Sequence, residues 1–242
     1  MPGEFGKLVV FPDAEALARG AASWLKERIA PLHGHIAIAL SGGSTPRHLF
    51  QLMGSEFKDA FPWSRMHLFW GDERFVPRND PESNFRMAYE ALLSKVPIPP
   101  GNIHPVPTES VDPDEAARAY ERELKGFYGA PALEPGKFLF DVQLLGLGED
   151  GHTASLIPGE PVLDERKRWV AAVAHGRPET RITLTYPALE SSRHTAFLLS
   201  GEAKRDILHK VRTQSADVPA ARIRPLGDLT FLTDRAAAGS DK

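Results

Sequence analysis

His152 follows an apolar run, in the segment Gly148-Glu149-Asp150-Gly151-His152-Thr153-Ala154-Ser155. An imidazole, with an ordinary pKa near ~6.5, can take and return a proton at neutral pH. Asp150, two residues earlier, is placed to fix its tautomer, so both are candidate catalytic residues. The stretch from Gly146 to Gly151 also spells G-x-G-x-x-G, the pattern of a dinucleotide loop. Glu149 and Asp150 argue against that use, because they would set two negative charges where a pyrophosphate must sit. The acidic residue expected about 20 positions later, at a second strand end, is also missing. Asp164 and Glu165 lie instead in a charged stretch without strand character.

Three further segments join polar groups to glycines. In Ser41-Gly42-Gly43-Ser44-Thr45-Pro46, two glycines let backbone amides approach an anion, and Ser44 and Thr45 add hydroxyl donors. Pro46 suits a first helical turn, and a helix N-terminus favours a phosphate. A plain tight turn with an N-cap would read the same way. The segment is not a Walker A loop, because the Gly-Lys-Ser/Thr ending is absent. Ser200-Gly201-Glu202-Ala203-Lys204 repeats the strand–glycine–helix layout, and Lys204 can serve either as a point charge for an anion or as a solvated helix lysine. Gly71-Asp72-Glu73-Arg74 sets two carboxylates beside a guanidinium, which fits substrate orientation or a salt-bridged turn equally.

Short apolar runs alternating with amphipathic stretches must carry these segments. Strands are expected at 8–11, 35–40, 66–70, 138–145, 169–174, 181–185, 194–200 and 229–233. Helices are expected after Asp13, after Pro46, and over 84–95, 114–127 and 202–212. Phe138 to Leu145 is the most apolar run and reads as a central buried strand. The alternation predicts a doubly wound α/β fold, a mostly parallel sheet flanked by helices. The whole of 1–242 reads as one domain, with room for a small subdomain around 75–130 and a frayed tail over 235–242. The four polar segments each follow a strand. In open α/β sheets ligands bind beyond the carboxyl ends of strands, so parallel neighbours would bring all four together.

Composition narrows the partners. The 242 residues carry a net charge of −3, with 42% hydrophobic and 25% charged residues. Lys and Arg are scattered, so neither nucleic acid nor a membrane is expected as a partner. An anionic ligand would need a local cluster of cations. There are no cysteines, which removes thiolate chemistry and Cys-based metal sites. No His/Asp/Glu spacing specific for a metal is evident. The N-terminus lacks the pattern of a signal peptide, and no apolar run approaches the ~20 residues of a membrane span, so a cytoplasmic protein is expected.

The ordered set of segments resembles the 6-phosphogluconolactonase family. The residues that carry the resemblance are Ser41 to Pro46, Trp70 to Arg74, Ser83-Asn84-Phe85, Asp141 to Pro158, Arg181-Ile182-Thr183-Leu184-Thr185, and Ser200 to Lys204. Their order spans nearly the whole chain, from about Leu8 to Asp234. The glucosamine-6-phosphate deaminases are similar around the glycine loop and the Asp-Gly-His turn. They carry a carboxylate where this chain has Ile157, and Asp-Glu-Tyr where it has Asp72-Glu73-Arg74.

The resemblance implies a deaminase-like α/β fold and a carboxylic ester hydrolase. That enzyme would convert 6-phospho-D-glucono-1,5-lactone to 6-phospho-D-gluconate in the pentose phosphate pathway, without cofactor or metal, as a monomer or homodimer. It implies His152 as general base, oriented by Asp150, with Arg74 at the carbonyl oxygen and Asp72 beside it. Gly42, Gly43, Ser44, Thr45, Asn84, Arg181 and Lys204 would bind substrate and phosphate. A sugar-phosphate isomerase or deaminase, with Asp72 moving a proton between C1 and C2, is the alternative enzyme. A non-catalytic sugar-phosphate sensor is the alternative outside catalysis.

Overall fold

The run Ile36-Ala37-Ile38-Ala39-Leu40 is buried along its whole length, as is Met66 to Trp70. Strands apolar on both faces belong inside a parallel sheet covered by helices. The structure, a computed structural model, describes residues 5–239. In chain order, β1 (Lys7–Phe11), α1 (Ala14–Ile29), β2 (Ile36–Leu40), α2 (Ser44–Met53), β3 (Met66–Trp70) and β4 (Asp72–Arg74) come first. They are followed by α3 (Asn84–Ala91), α4 (Pro113–Tyr128), β5 (Phe140–Leu145), β6 (Val170–Val173), β7 (Arg181–Leu184) and α5 (Tyr186–Glu190). β8 (Ser192–Leu199), α6 (Arg205–Arg212), α7 (Pro219–Arg222), β9 (Asp228–Asp234) and α8 (Arg235–Ala238) complete the chain.

Six strands form one sheet in the order β1-β9-β8-β5-β2-β3, every neighbouring pair parallel. The mostly parallel sheet flanked by helices is the expected fold class. From β2 the chain runs outward to β3, and from β5 it runs the other way to β8. The loops after β2 and β5 therefore part company at one point on the sheet edge. Such a switch point opens a crevice between neighbouring loops.

The tail departs from expectation. Residues 235–238 form α8 rather than fraying: Asp234 accepts the Ala237 amide at 2.8 Å and Ala237 is buried. An N-cap of this kind satisfies an amide that would otherwise lack a partner. Residues 240–242 of the expected tail lie outside the described residues.

β4, β6 and β7 form a second sheet, antiparallel, in the order β4-β7-β6. The sequence pattern announces β6 and β7 as strands, at 169–174 and 181–185, but neither β4 nor their pairing in a separate antiparallel sheet. Only Gly71 separates Trp70 from β4, so the chain leaves the parallel sheet at Gly71 and enters the small one. Leu184 donates to the Gly71 carbonyl at 2.9 Å, joining the sheets at that corner. α4 packs on β6 and β7, and its Tyr120 hydroxyl accepts the Trp70 amide at 2.7 Å.

The far end of β3 carries a chain of imidazoles. His67 Nε2 lies 2.9 Å from His35 Nδ1, and His67 Nδ1 lies 3.0 Å from His104 Nε2. His104 Nδ1 in turn meets Glu123 on α4 at 2.7 Å. The His67 ring on β3 thus meets His35 just before β2, and it packs against Phe127 of α4. Burial, reinforced by His104 and His35, lowers His67 to about 4. Among the described residues no group of three or more His, Asp or Glu is arranged to hold a metal, and no helix is long and apolar enough to cross a membrane.

Candidate active site

The loops after β2, β3, β5 and β8 meet in a cavity of about 220 Å³. Its lining includes Gly42, Gly43, Ser44, Thr45, Asp72, Arg74, Asn84, His152, Arg181 and Lys204. Every site residue expected from sequence faces this cavity except Asp150, which stands behind His152.

The loop after β2 builds one wall. Gly43 is the N-cap of α2, with φ of 101°, a backbone conformation that L side chains rarely adopt. Helix α2 has no side-chain cap, so its first amides open onto the cavity at the positive end of the helix dipole. Lys204, at the start of α6, joins this wall.

The small sheet contributes another part of the lining. Arg74 and Arg181 are direct cross-strand partners on β4 and β7, and both line the cavity. Each has its Nε buried without a hydrogen-bond partner. Burial, and then the neighbouring Arg74, push the Arg181 guanidinium pKa down. Arg74 also donates to the Glu82 carbonyl and lies 3.5 Å from the Glu82 carboxylate, and Arg181 lies 3.5 Å from Glu179. Two facing cations with unused donors favour an anion between them.

Asp72 and Glu73 differ in task. Glu73 is buried and accepts from the amides of Arg74, Asn84 and Phe85 at 2.7, 2.8 and 2.7 Å, and from the Ser83 hydroxyl at 3.1 Å. Burial pushes its carboxyl pKa up, against those backbone donors. It pins the start of α3 to β4 and braces Arg74. Asp72 faces the cavity, and its Oδ2 accepts the Ser155 hydroxyl at 2.7 Å. Asn84 donates to the Asp72 carbonyl at 2.9 Å.

His152 sits on the turn after β5. Its Nδ1 is 2.5 Å from Asp150 Oδ1. The turn is held by Gly148 N–H to the His152 carbonyl at 2.8 Å and by the Thr153 hydroxyl to the Gly146 carbonyl at 2.9 Å. A Cβ on Gly148 would lie 1.9 Å from His152 Nδ1, so only glycine leaves the ring its place. Ala154, beyond it, takes φ of 48°, uncommon for a residue with a side chain. Ser155 secures that strained turn by its amide on the Thr183 hydroxyl, at 3.1 Å.

Sequence reasoning missed Arg177. It lies on the loop between β6 and β7 and donates to Asp150 Oδ2 at 2.7 Å. Burial works against the Asp150 carboxylate, but hydrogen bonds from Arg177 and His152 prevail and hold it well below the usual carboxylate range. A lone arginine between glycine and proline gives no local sign of this contact. Ser155 was within the quoted motif, but its link to Asp72 joins residues 83 positions apart.

A parallel sheet with an Asp–His pair, two arginines, a lysine and a helix N-terminus gathered around one cavity at its switch point defines an α/β protein with a polar small-molecule site. The family model described as glucosamine-6-phosphate isomerases/6-phosphogluconolactonase matches residues 12–231, and the chain belongs to that family. It is 43% identical over 208 residues to 6-phosphogluconolactonase of Synechocystis sp., covering 84% of each chain. It is 39% identical over 239 residues to 6-phosphogluconolactonase of Nostoc sp., covering 96% of each. The solved 6-phosphogluconolactonase of Trypanosoma cruzi superposes with a TM-score of 0.85 at 31% identity, over 98% of this chain and 97% of that one.

Proposed function

We propose that the chain hydrolyses 6-phospho-D-glucono-1,5-lactone to 6-phospho-D-gluconate in the pentose phosphate pathway. One observation carries the reading: the His152–Asp150 pair opens onto the same cavity as the α2 amides, Lys204 and the facing Arg74 and Arg181. The cavity is formed within one chain, so the reading requires no second copy. A cytoplasmic location belongs to the same proposal.

Asp150 holds the Nδ1 proton of His152, which leaves Nε2 bare. Nε2 takes a proton from a water whose oxygen bonds to C1 of the lactone. The tetrahedral centre then collapses, the bond from C1 to the ring oxygen breaks, and the imidazolium returns its proton to that oxygen. The new carboxylic acid loses its proton to solvent. A δ-lactone is already electrophilic, so one positioned base is adequate help.

The sequence reading gives Arg74 to the carbonyl oxygen. Its pairing with Arg181 supports giving it to the phosphate instead, because one dianion satisfies both guanidinium groups. The α2 amides and Lys204 complete the clamp. Remote phosphate binding holds C1 against the base, which is where orientation lowers the barrier. Asp72, which accepts the Ser155 hydroxyl, would accept from a sugar hydroxyl as well. Ile157 is buried among apolar side chains, which speaks against a ring-opening carboxylate at that place.

The test is hydrolysis of freshly generated 6-phosphogluconolactone, followed against spontaneous ring opening. A rate no higher than the spontaneous one overturns the proposal. Ammonia release from glucosamine 6-phosphate would point to the deaminase alternative.

A further inference from the structure

Arg177 closes a three-membered contact behind the imidazole. Its Nη2 donates to Asp150 Oδ2 at 2.7 Å and lies 2.9 Å from His152 Nδ1. Its Nη1 donates to the Gly176 carbonyl at 2.8 Å, which orients the guanidinium. Asp150 Oδ1 meets His152 Nδ1 at 2.5 Å and accepts the His152 amide at 3.1 Å. One carboxylate thus serves a guanidinium on one oxygen and a histidine on the other.

The proton on Nδ1 can be assigned from these contacts. A bare Nδ1 at 2.5 Å from a carboxylate would set lone pair against lone pair. Arg177 Nη2, a donor only, gives its hydrogen to Asp150 Oδ2, and its longer 2.9 Å approach to Nδ1 is then a contact between two donors. The shorter carboxylate contact decides, and Nδ1, not Nε2, carries the hydrogen. That is the tautomer a base facing the cavity requires. Asp150 enforces it only while its side chain keeps this rotamer. The carboxylate stands at the surface on a short glycine-bounded turn, where water competes for both oxygens. Arg177 comes from another element and holds the second oxygen.

We propose that Arg177 is a positioning residue for the lactone hydrolysis, clamping Asp150 so that His152 is kept in the Nδ1–H tautomer with Nε2 free. The proposal rests on the lactonase reading for its kinetic part but not for its structural part. Arg177 acts through Asp150 and needs no contact with substrate. Its loop runs directly into Arg181 at the start of β7, so the segment that clamps the base also carries a cation of the phosphate wall.

The experiment compares wild type with Arg177→Gln and Arg177→Lys. In Arg177→Gln, kcat should fall about 10- to 100-fold with KM within about twofold, the size seen when the group orienting a functional histidine is lost. Arg177→Lys should recover part of that loss. In a His152→Ala background, Arg177→Gln should remove no further activity, because its effect passes through the imidazole. Nitrogen-15 NMR of the His152 ring, without substrate, should show Nδ1–H in wild type and a mixture of tautomers in Arg177→Gln. A wild-type pattern in the variant, or an additive loss in the His152→Ala background, overturns the assignment. If wild type does not hydrolyse the lactone, the function proposal fails by itself, and the NMR comparison still decides the role of Arg177.

Discussion

Arg74 and Arg181 stand directly opposite each other across β4 and β7, each with a buried Nε that has no partner. Like charges at opposed strand positions cost stability in an empty protein. The arrangement makes sense as a cost repaid on binding a dianion. Replacing Arg181 with Met should raise KM for the phosphorylated lactone by about 10- to 100-fold, from the loss of charge-assisted hydrogen bonds. Unphosphorylated gluconolactone should be turned over nearly as before. The ligand-free variant should melt no lower than wild type, and should lose the stabilisation that inorganic phosphate gives wild type. Steady-state kinetics on both lactones and thermal scans with and without phosphate check this.

His152→Ala should lower the enzymatic rate by about 10²- to 10⁴-fold, the usual worth of a general base. The measurement is lactone loss above the uncatalysed rate, with phosphate-dependent thermal stabilisation as the control for an intact clamp. A nearly full rate would remove His152 from the mechanism.

Gly148→Ala tests the packing of the base. The added methyl would meet His152 Nδ1 at 1.9 Å, a distance real contacts do not show. The ring must move, so kcat should fall while phosphate-induced stabilisation remains. Equal kcat in the variant would mean that the ring position is not critical.

Glu73→Ala should destabilise the fold by about 2–4 kcal/mol, because it leaves three backbone amides and the Ser83 hydroxyl without their acceptor. Denaturant unfolding measures the loss. KM should rise with it, since Arg74 and the start of α3 lose their common anchor.

His67 sets an acid limit on stability. Its folded value is about 4, against an unfolded value near ~6.5. Between these the unfolded chain binds the proton and the folded one does not. The contribution is therefore complete above about pH 6.5 and is lost as pH falls toward 4. Melting temperature should drop across that window, and His67→Gln should flatten the drop. Parallel curves for the two proteins would assign the acid loss to other groups.

Much of this arrangement was legible along the chain. Apolar runs of strand length marked the parallel strands, and polar glycine segments after four of them marked the cavity. The loops after β2, β3, β5 and β8 meet because those strands are neighbours in the sheet. The start of α1 after Asp13 was legible too, because the Asp13 carboxylate caps it over only three residues.

Of the second sheet, β6 and β7 were legible as strands, but β4 and the antiparallel pairing were not, nor was α8 at the chain's end. β4 is three residues long, and nothing in Asp72-Glu73-Arg74 names β7 as its partner more than 100 positions away. Strand partners are chosen by the packing of the whole chain, not by the pattern of either strand.

The sequence by itself determined the order of strands and helices and the chemical groups at their ends, because periodicity, glycines and caps act over a few residues. Only the tertiary structure decided which of those groups meet. It set Arg74 against Arg181, gave Glu73 a bracing task distinct from that of Asp72, and brought Arg177 to Asp150. Each of these relationships joins distant segments, and its geometry depends on two sheets meeting at the Gly71 corner.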